Sequence, residues 1–181
     1  VVSQVTANGK SNLCITINDG NDFVWVAYDF TVEPSWRSTI MCSIDDKTHE
    51  LTNGTTQAQG CAMNDLGVVG WSDDEGVKLW DKGNVLIIQE TSGGSGPFLN
   101  NVGDALYWDW LDTYWAAFLY RDGTKYQLAG DPNGENFNFG GGDINDNGEV
   151  SLVMGESPEH DVYLLWRIRA PGDFTGDEGF A

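Results

Sequence analysis

Apolar and polar positions alternate in short runs, and this pattern recurs four times along the chain. Each copy opens with an apolar residue, an Asn and a turn-forming segment, and a second apolar run follows. The four turn segments lie at residues 17–21, 63–67, 99–103 and 144–148. Their Asn residues are 46, 36 and 45 positions apart. A four-stranded propeller blade spans roughly 40–50 residues, so the repeat predicts one small sheet per copy.

The alternation continues after each turn. Five residues beyond the Asn, the copies carry Phe23, Val69, Ala105 and Val150, and seven residues beyond it they carry Trp25, Trp71, Tyr107 and Leu152. Positions two apart lie on the same face of a strand, so each copy predicts strand, tight turn, strand, with this face inward. Gly67, Gly103 and Gly148 stand where the turn requires a positive φ.

Two more strands are predicted in each copy. The third strand is predicted at Val77–Trp80, Ala117–Tyr120 and Tyr163–Trp166, with a weaker version at Ile40–Cys42. The fourth is predicted at Glu50–Thr52, Leu86–Ile88 and Tyr126–Leu128. The last copy lacks a fourth strand, and we expect Val1–Val5 to supply it by pairing near Tyr163–Arg169. Such pairing would close a ring and remove the exposed sheet edges.

The predicted fold is therefore all-β, a small propeller of four blades closed by the N-terminal strand. It occupies residues 1–169, with repeats near 14–54, 61–93, 98–131, and 143–169 plus 1–6. Residues 170–181 form an acidic tail or the start of a truncated module. A fragment of a larger propeller and a β-sandwich are the alternative folds.

Composition narrows the possible partners. Hydrophobic residues make up 40% of the 181 residues, which fits a folded domain. The net charge of −19 would repel nucleic acids and anionic membranes, and these are excluded as main partners. No apolar run approaches the roughly 20 residues of a membrane-spanning helix. The chain starts at Val1 without an initiator Met, which predicts a processed form or a fragment.

The repeats resemble the HAF repeat family of secreted, propeller-like proteins. The closest copy is the second, at residues 63–72 followed by 77–83, and the third copy keeps the Ala-Phe-Leu-aromatic stretch at Ala117–Gly123. The resemblance covers residues 14–166. It implies a propeller and a secreted, extracellular or cell-surface location, and it supplies no catalytic residues.

Motifs of common enzymes are missing from the sequence. The two histidines, His49 and His160, lie far apart in the repeats, and no nucleophile or metalloprotease signature occurs. Cys14, Cys42 and Cys61 have no CxxC spacing, so they form one disulfide with one free thiol, or serve as three small buried residues. We expect no enzymatic activity, with a hydrolase as the remaining alternative because carboxylate pairs are common in a chain with 28 acids.

Three acidic segments are candidates for calcium. Residues 143–148 match the opening of a calcium loop, but Met154 stands at the twelfth position, where an acid is needed, so the segment is interpreted as a repeat turn. The candidate residues for weak binding are Asp73, Asp74, Glu75, Asp173 and Asp177. No other cofactor is predicted.

Five aromatic residues do not follow the repeat and are candidate contacts for a ligand or an assembly partner. They are Trp36, Trp108, Trp110, Tyr114 and Trp115. Rings beside carboxylates are typical of sugar-binding surfaces, and they also occur where proteins pack together. The predicted function is a non-catalytic extracellular module for adhesion, scaffolding or matrix assembly, which binds copies of itself or other surface proteins. The alternatives are a lectin-like carbohydrate-binding module and a glycan-active enzyme.

Overall fold

The protein is built from strands. A computed structural model describes residues 11–31, 37–54, 57–90, 94–130, 137–156 and 161–165, and these residues form fifteen β-strands and no helix. The all-β class is therefore as predicted.

The strands form four antiparallel sheets, each made from strands that follow one another in the chain. The first sheet contains β1 (Ser11–Ile17), β2 (Phe23–Asp29), β3 (Arg37–Ile44) and β4 (Lys47–Glu50). The second contains β5 (Gln59–Met63), β6 (Val69–Asp73), β7 (Gly76–Asp81) and β8 (Asn84–Gln89). The third contains β9 (Ser95–Leu99), β10 (Ala105–Leu111), β11 (Tyr114–Arg121) and β12 (Thr124–Ala129). The fourth contains β13 (Phe137–Ile144), β14 (Val150–Glu156) and β15 (Asp161–Leu165).

The sheets pack on one another in chain order. The first strand of each sheet, β1, β5, β9 or β13, lies beside the first strand of the next sheet. The last strands of the four-stranded sheets, β4, β8 and β12, lie at the opposite sheet edge. This arrangement places the tight turns that follow β1, β5, β9 and β13 next to one another.

Three apolar layers fill the spaces between neighbouring sheets. Trp71 lies between the first and second sheets, Tyr107 between the second and third, and Leu152 between the third and fourth. All three stand seven residues after the repeat Asn, and all three are buried. The predicted inward face is therefore confirmed for these copies.

The four repeat turns are joined by an Asn ladder, made of Asn18, Asn64, Asn100 and Asn145. Each Asn accepts hydrogen bonds from its own turn through Oδ1, as Asn64 does from the N–H groups of Leu66 (3.1 Å) and Val68 (2.9 Å). The Nδ2 groups of the first three donate to the backbone carbonyl of the next Asn, at 3.1, 2.8 and 3.0 Å. The repeated Asn therefore shapes one turn and ties it to the next.

The turn glycines behave as predicted. Gly67, Gly103 and Gly148 have φ of 77°, 98° and 75°. The N–H of Gly148 donates to the carbonyl of Asn145 at 3.0 Å, which closes a tight turn. The segment at residues 143–148 is therefore a repeat turn, as its sequence predicted.

The prediction of a closed four-blade propeller is wrong. In the residues that the structure describes, no sheet closes, and the first and fourth sheets do not pack extensively against each other. At the ladder's end, Nδ2 of Asn145 donates to Glu149 of its own turn at 2.7 Å, and within the described residues the ladder does not continue to Asn18. Four small sheets in series also differ from the two facing sheets of a sandwich. Nothing in their arrangement requires a larger propeller.

The predicted closing strand, Val1–Val5, lies outside the described residues, as do Trp166 and the tail at residues 170–181. In the described part of the chain, β15 pairs only with β14. The predicted fourth strand of the first copy, Glu50–Thr52, is displaced, since β4 spans Lys47–Glu50.

Candidate functional site

The irregular aromatic residues divide between the interior and the surface. Trp108 is buried and packs on Phe98, with ring centroids 5.5 Å apart. Trp110 is 43% exposed, and its ring meets that of Trp115 edge to face at 5.5 Å. Tyr114 is half-buried against the layer between the second and third sheets.

Trp110 and Trp115 are brought together by the β10–β11 hairpin, where they are directly opposite residues. They form a small aromatic surface next to the exposed Asp112 at the hairpin turn. Trp36, the fifth candidate, lies outside the described residues. The structure therefore unites two of the five candidates at one exposed position.

The acidic tip at Asp73–Glu75 is organised around a lysine. Nζ of Lys78 donates to Asp73 at 2.8 Å and to Glu75 at 2.6 Å, and the Asp73 side chain is fully buried. Nε1 of Trp71 donates to the same Asp73 carboxylate at 3.0 Å. Burial alone would lower the pKa of Lys78, but the hydrogen bonds that Lys78 donates to Asp73 and Glu75 outweigh burial and raise that pKa. Asp73 is thus held inside the fold by internal donors.

The structure describes only one of the remaining candidates for metal binding. Asp74 is exposed, and Asp173 and Asp177 lie outside the described residues. Within the described ranges, no three His, Cys, Asp or Glu side chains come close enough to hold a metal ion.

A second buried carboxylate lies at the junction of the second and third sheets. Asp109 is fully buried and accepts a hydrogen bond from Nε2 of Gln89 at 2.6 Å. Oε1 of Gln89 in turn accepts from Nζ of the exposed Lys125 at 2.7 Å. Gln89 therefore links a buried negative charge to a surface positive charge.

Gln89 and Lys125 also line an open groove of about 390 Å³. Its walls are Ile87, Ile88, Gln89, Glu90 and Lys125. None of these side chains is a nucleophile with a neighbouring base, so the groove offers apolar contact and hydrogen bonding, without a catalytic pair.

The groove adjoins a strand with three consecutive exposed apolar residues. Val85, Leu86 and Ile87, here named the edge strip, are 52%, 48% and 45% exposed. They lie on β8, at the edge of the second sheet. Native edge strands are usually protected by charges or Pro, and β8 contains neither between Asn84 and Gln89. An uncharged edge strand with a free row of backbone groups is a site where another strand can add.

Sequence reasoning placed a strand at Leu86–Ile88 but missed its exposure. A signal was present, because Val85–Ile88 is a continuous apolar run and does not alternate as a half-buried strand does. A continuous run also fits a fully buried strand, so the pattern alone does not separate the two cases.

Three other chemically reactive side chains, Cys42, Tyr107 and His49, are buried or half-buried. Cys42 is a free, fully buried thiol, and burial, with the negative charge of Asp22, raises its pKa to about 11. The Tyr107 hydroxyl is buried without a hydrogen-bond partner, and burial, then Asp109 and Tyr120, raise its pKa. His49 is half-buried, with its ring 5.7 Å from that of Trp80. Neither Cys42 nor Tyr107 is poised as a nucleophile, because both favour the protonated form.

Comparison with known proteins gives no family assignment: no protein-family model matches this chain, and no curated protein matches it. The resemblance to HAF repeats therefore stays a prediction. In the described part of the chain, no helix is long and apolar enough to cross a membrane.

Proposed function

We propose that this protein is a non-catalytic extracellular scaffold or adhesion module, which assembles with further copies of itself through the edge of β8. The edge strip is the observation that carries the proposal, since three consecutive apolar side chains are about half exposed on an unprotected edge strand. Contiguous exposed apolar surface on a water-soluble fold marks a contact.

A second copy suits this edge better than an unrelated strand. If two β8 strands pair antiparallel about a two-fold axis, Asn84 of one copy stands opposite Gln89 of the other. The same pairing brings Lys82, before the strand, close to Glu90, after the strand, in the second copy. The contact then joins opposite charges at both ends of an apolar centre.

The internal pairing of the buried carboxylates Asp73 and Asp109 supports a role without catalysis. Asp73 is neutralised by Lys78, and Asp109 is bonded to Gln89. Carboxylates held in this way are committed to internal donors and are not available to transfer protons at a surface groove.

The proposal predicts that Leu86→Lys abolishes β8 pairing without unfolding the chain, because Leu86 is half exposed in the free molecule. Sedimentation velocity should show a two-fold associated species for the wild-type chain that is lost in Leu86→Lys. Val102→Lys is the matched control, since Val102 is 66% exposed and lies in the repeat turn between β9 and β10, not on β8. Equal association of all three proteins would contradict the use of this edge.

A second candidate function is carbohydrate binding, which the exposed Trp110 beside Trp115 favours. A ring of this kind stacks on the apolar face of a sugar, and Asp112 would accept hydroxyl hydrogen bonds. Calorimetric titration with a panel of soluble oligosaccharides should then give saturable binding that Trp110→Ala removes and Val102→Ala retains. Absence of heat with every sugar would eliminate this candidate and leave the assembly proposal intact.

A further inference from the structure

The Asn ladder has an unfinished end at the fourth turn. Asn100 uses both amide N–H groups, one to Asp104 of its own turn at 2.9 Å and one to the carbonyl of Asn145 at 3.0 Å. Asn145 uses one N–H, to Glu149 of its own turn at 2.7 Å. A carboxamide carries two N–H donors, so within the described residues one donor of Asn145 remains unused.

A second series of hydrogen bonds between neighbouring turns also ends at the fourth turn. In the first three turns, the residue after the ladder Asn donates its backbone N–H to the side chain of the corresponding residue in the next turn. These bonds run from Asp19 to Asp65 at 2.9 Å, from Asp65 to Asn101 at 2.8 Å, and from Asn101 to Asp146 at 2.6 Å. In the described part of the chain, the N–H of Asp146 has no such acceptor. Within the described residues, the fourth turn therefore has two hydrogen-bond donors without an acceptor, one N–H of the Asn145 side chain and the backbone N–H of Asp146.

The first turn presents the matching acceptors. The carbonyl of Asn64 accepts from Asn18, and the carboxylate of Asp65 accepts from Asp19. The equivalent atoms of the first turn are the carbonyl of Asn18 and the exposed carboxylate of Asp19. Within the described chain, neither receives a hydrogen bond from another turn.

The apolar surface shows the same asymmetry. Met63 and Ile144, the residues before the second and fourth ladder Asn, are 6% and 5% exposed because the preceding sheet covers them. Ile17, the equivalent residue of the first sheet, is 64% exposed, and Ile15 on the same strand face is 65% exposed. The first sheet thus exposes, at Ile17, an apolar position that is buried in the second and fourth sheets.

The receiving surface is the outer face of the fourth sheet. Leu152 points toward the third sheet, so its neighbours Ser151 and Val153 lie on the other face of β14, where both are half-buried. This face has no further sheet against it among the described residues.

We infer that two copies of this chain join head to tail, with the first turn and first sheet of one copy continuing the Asn ladder beyond the fourth turn of the other. Asn145 donates to the carbonyl of Asn18 of the second copy, and the N–H of Asp146 donates to the carboxylate of Asp19 of the second copy. Ile15 and Ile17 of that copy are then covered by the fourth sheet. At the turns, the contact repeats the hydrogen bonds of the junctions already present inside one chain. Trp25, the counterpart of Trp71, is already buried in the single chain and adds no newly buried surface.

A second copy is the occupant that the sequence favours, because the turn motif with its donors and acceptors occurs in it only in the four repeat turns. The two ends differ, so the contact is heterologous and leaves one free end on each partner, which extends an assembly without a two-fold axis. The inference rests on the proposed assembly function and adds an interface separate from the β8 edge.

Complementation tests this interface, and it is measured in the Leu86→Lys background so that β8 pairing does not contribute. Ile17→Lys blocks only the acceptor end. Asp146→Pro blocks only the donor end, since it removes the N–H and Pro is accepted at the second position of a tight turn. Asp146→Ala is its matched control, because it also loses the carboxylate that Asn101 contacts but keeps the N–H. Val102→Lys is the control for Ile17→Lys.

Sedimentation velocity should show each blocked variant alone as a monomer and an equal mixture of the two as a dimer, while both controls form longer chains. The inference is overturned if the mixture stays monomeric, if either blocked variant still associates alone, or if the Leu86→Lys background does not associate at all. The β8 contact is judged separately. If association is weaker in Leu86→Lys than in the wild-type chain, the proposed β8 contact is upheld even when the head-to-tail contact is overturned. Thermal melting confirms that each variant is folded, and Ile15→Lys gives a second block at the acceptor end.

Discussion

Asn64 shows how much one repeated side chain does at the residue scale. Its Oδ1 accepts two backbone N–H groups of its own turn, and its Nδ2 donates to the carbonyl of Asn100 in the next sheet. The side chain is buried, so water cannot replace these partners. The recurrence of Asn in the sequence therefore reports a junction between sheets as well as a turn.

Replacing Asn64 by Ala should lower the free energy of unfolding by about 1–3 kcal/mol or more, because buried backbone groups lose their partners. Asn145→Ala is the matched control. That residue is exposed and makes no bond to a further turn in the described chain, so its loss should cost less. Urea unfolding measures both. Equal losses would show that the link between turns contributes nothing.

At the scale of elements, alternation predicted most strands, because the faces of a hairpin are set by local sequence. The second strands of the repeats and the β7 and β11 strands lie where the pattern placed them. The exposure of β8 could not be predicted in this way. Whether an edge strand is covered depends on what pairs with its free side, and that is not encoded in the strand itself.

The acidic hairpin tip illustrates a different limit. The sequence Asp73-Asp74-Glu75 suggested a cation site, and the cation that the structure provides is Lys78, five residues after Asp73. In antiparallel pairing across a tight turn, Asp73 and Gly76 are opposite residues, which brings the following strand back beside the acids. The position of Lys78 five residues after Asp73 can be read from the sequence, but the burial of both side chains cannot.

Lys78→Met should destabilise the chain by about 3–5 kcal/mol, because it leaves the buried Asp73 carboxylate without its cation. Lys47→Met, at an exposed position of β4, should change stability by less than about 0.5 kcal/mol. Adding Asp73→Asn to Lys78→Met should restore part of the loss, since the uncompensated charge is removed. Chemical denaturation that finds the two lysine variants alike would contradict this account of the tip.

At the scale of the whole molecule, the repeat predicted four units but not their arrangement. The repeat length fixes how many strands each unit holds, whereas closure depends on the angle between neighbouring sheets. That angle is set by the packing of side chains such as Trp71 and Tyr107 between sheets, which no repeat count contains. The structure is consequently a series of four sheets with two different ends and an unprotected edge.

Net charge opposes any assembly of this molecule. Each copy carries −19, so two copies repel each other at low ionic strength, and salt shortens the range of that repulsion to roughly 8 Å at 0.15 M. The proposed contacts are apolar or hydrogen-bonded at their centres, and salt weakens such contacts little. Assembly should therefore strengthen as salt is raised, unlike assembly held by surface ion pairs.

The most direct test of the assembly function is sedimentation velocity of the unmodified chain over a range of protein and sodium chloride concentrations. We predict that the weight-average mass rises with protein concentration and rises further with salt, and that Leu86→Lys reduces this mass. A single monomeric species under every condition would contradict the proposed function.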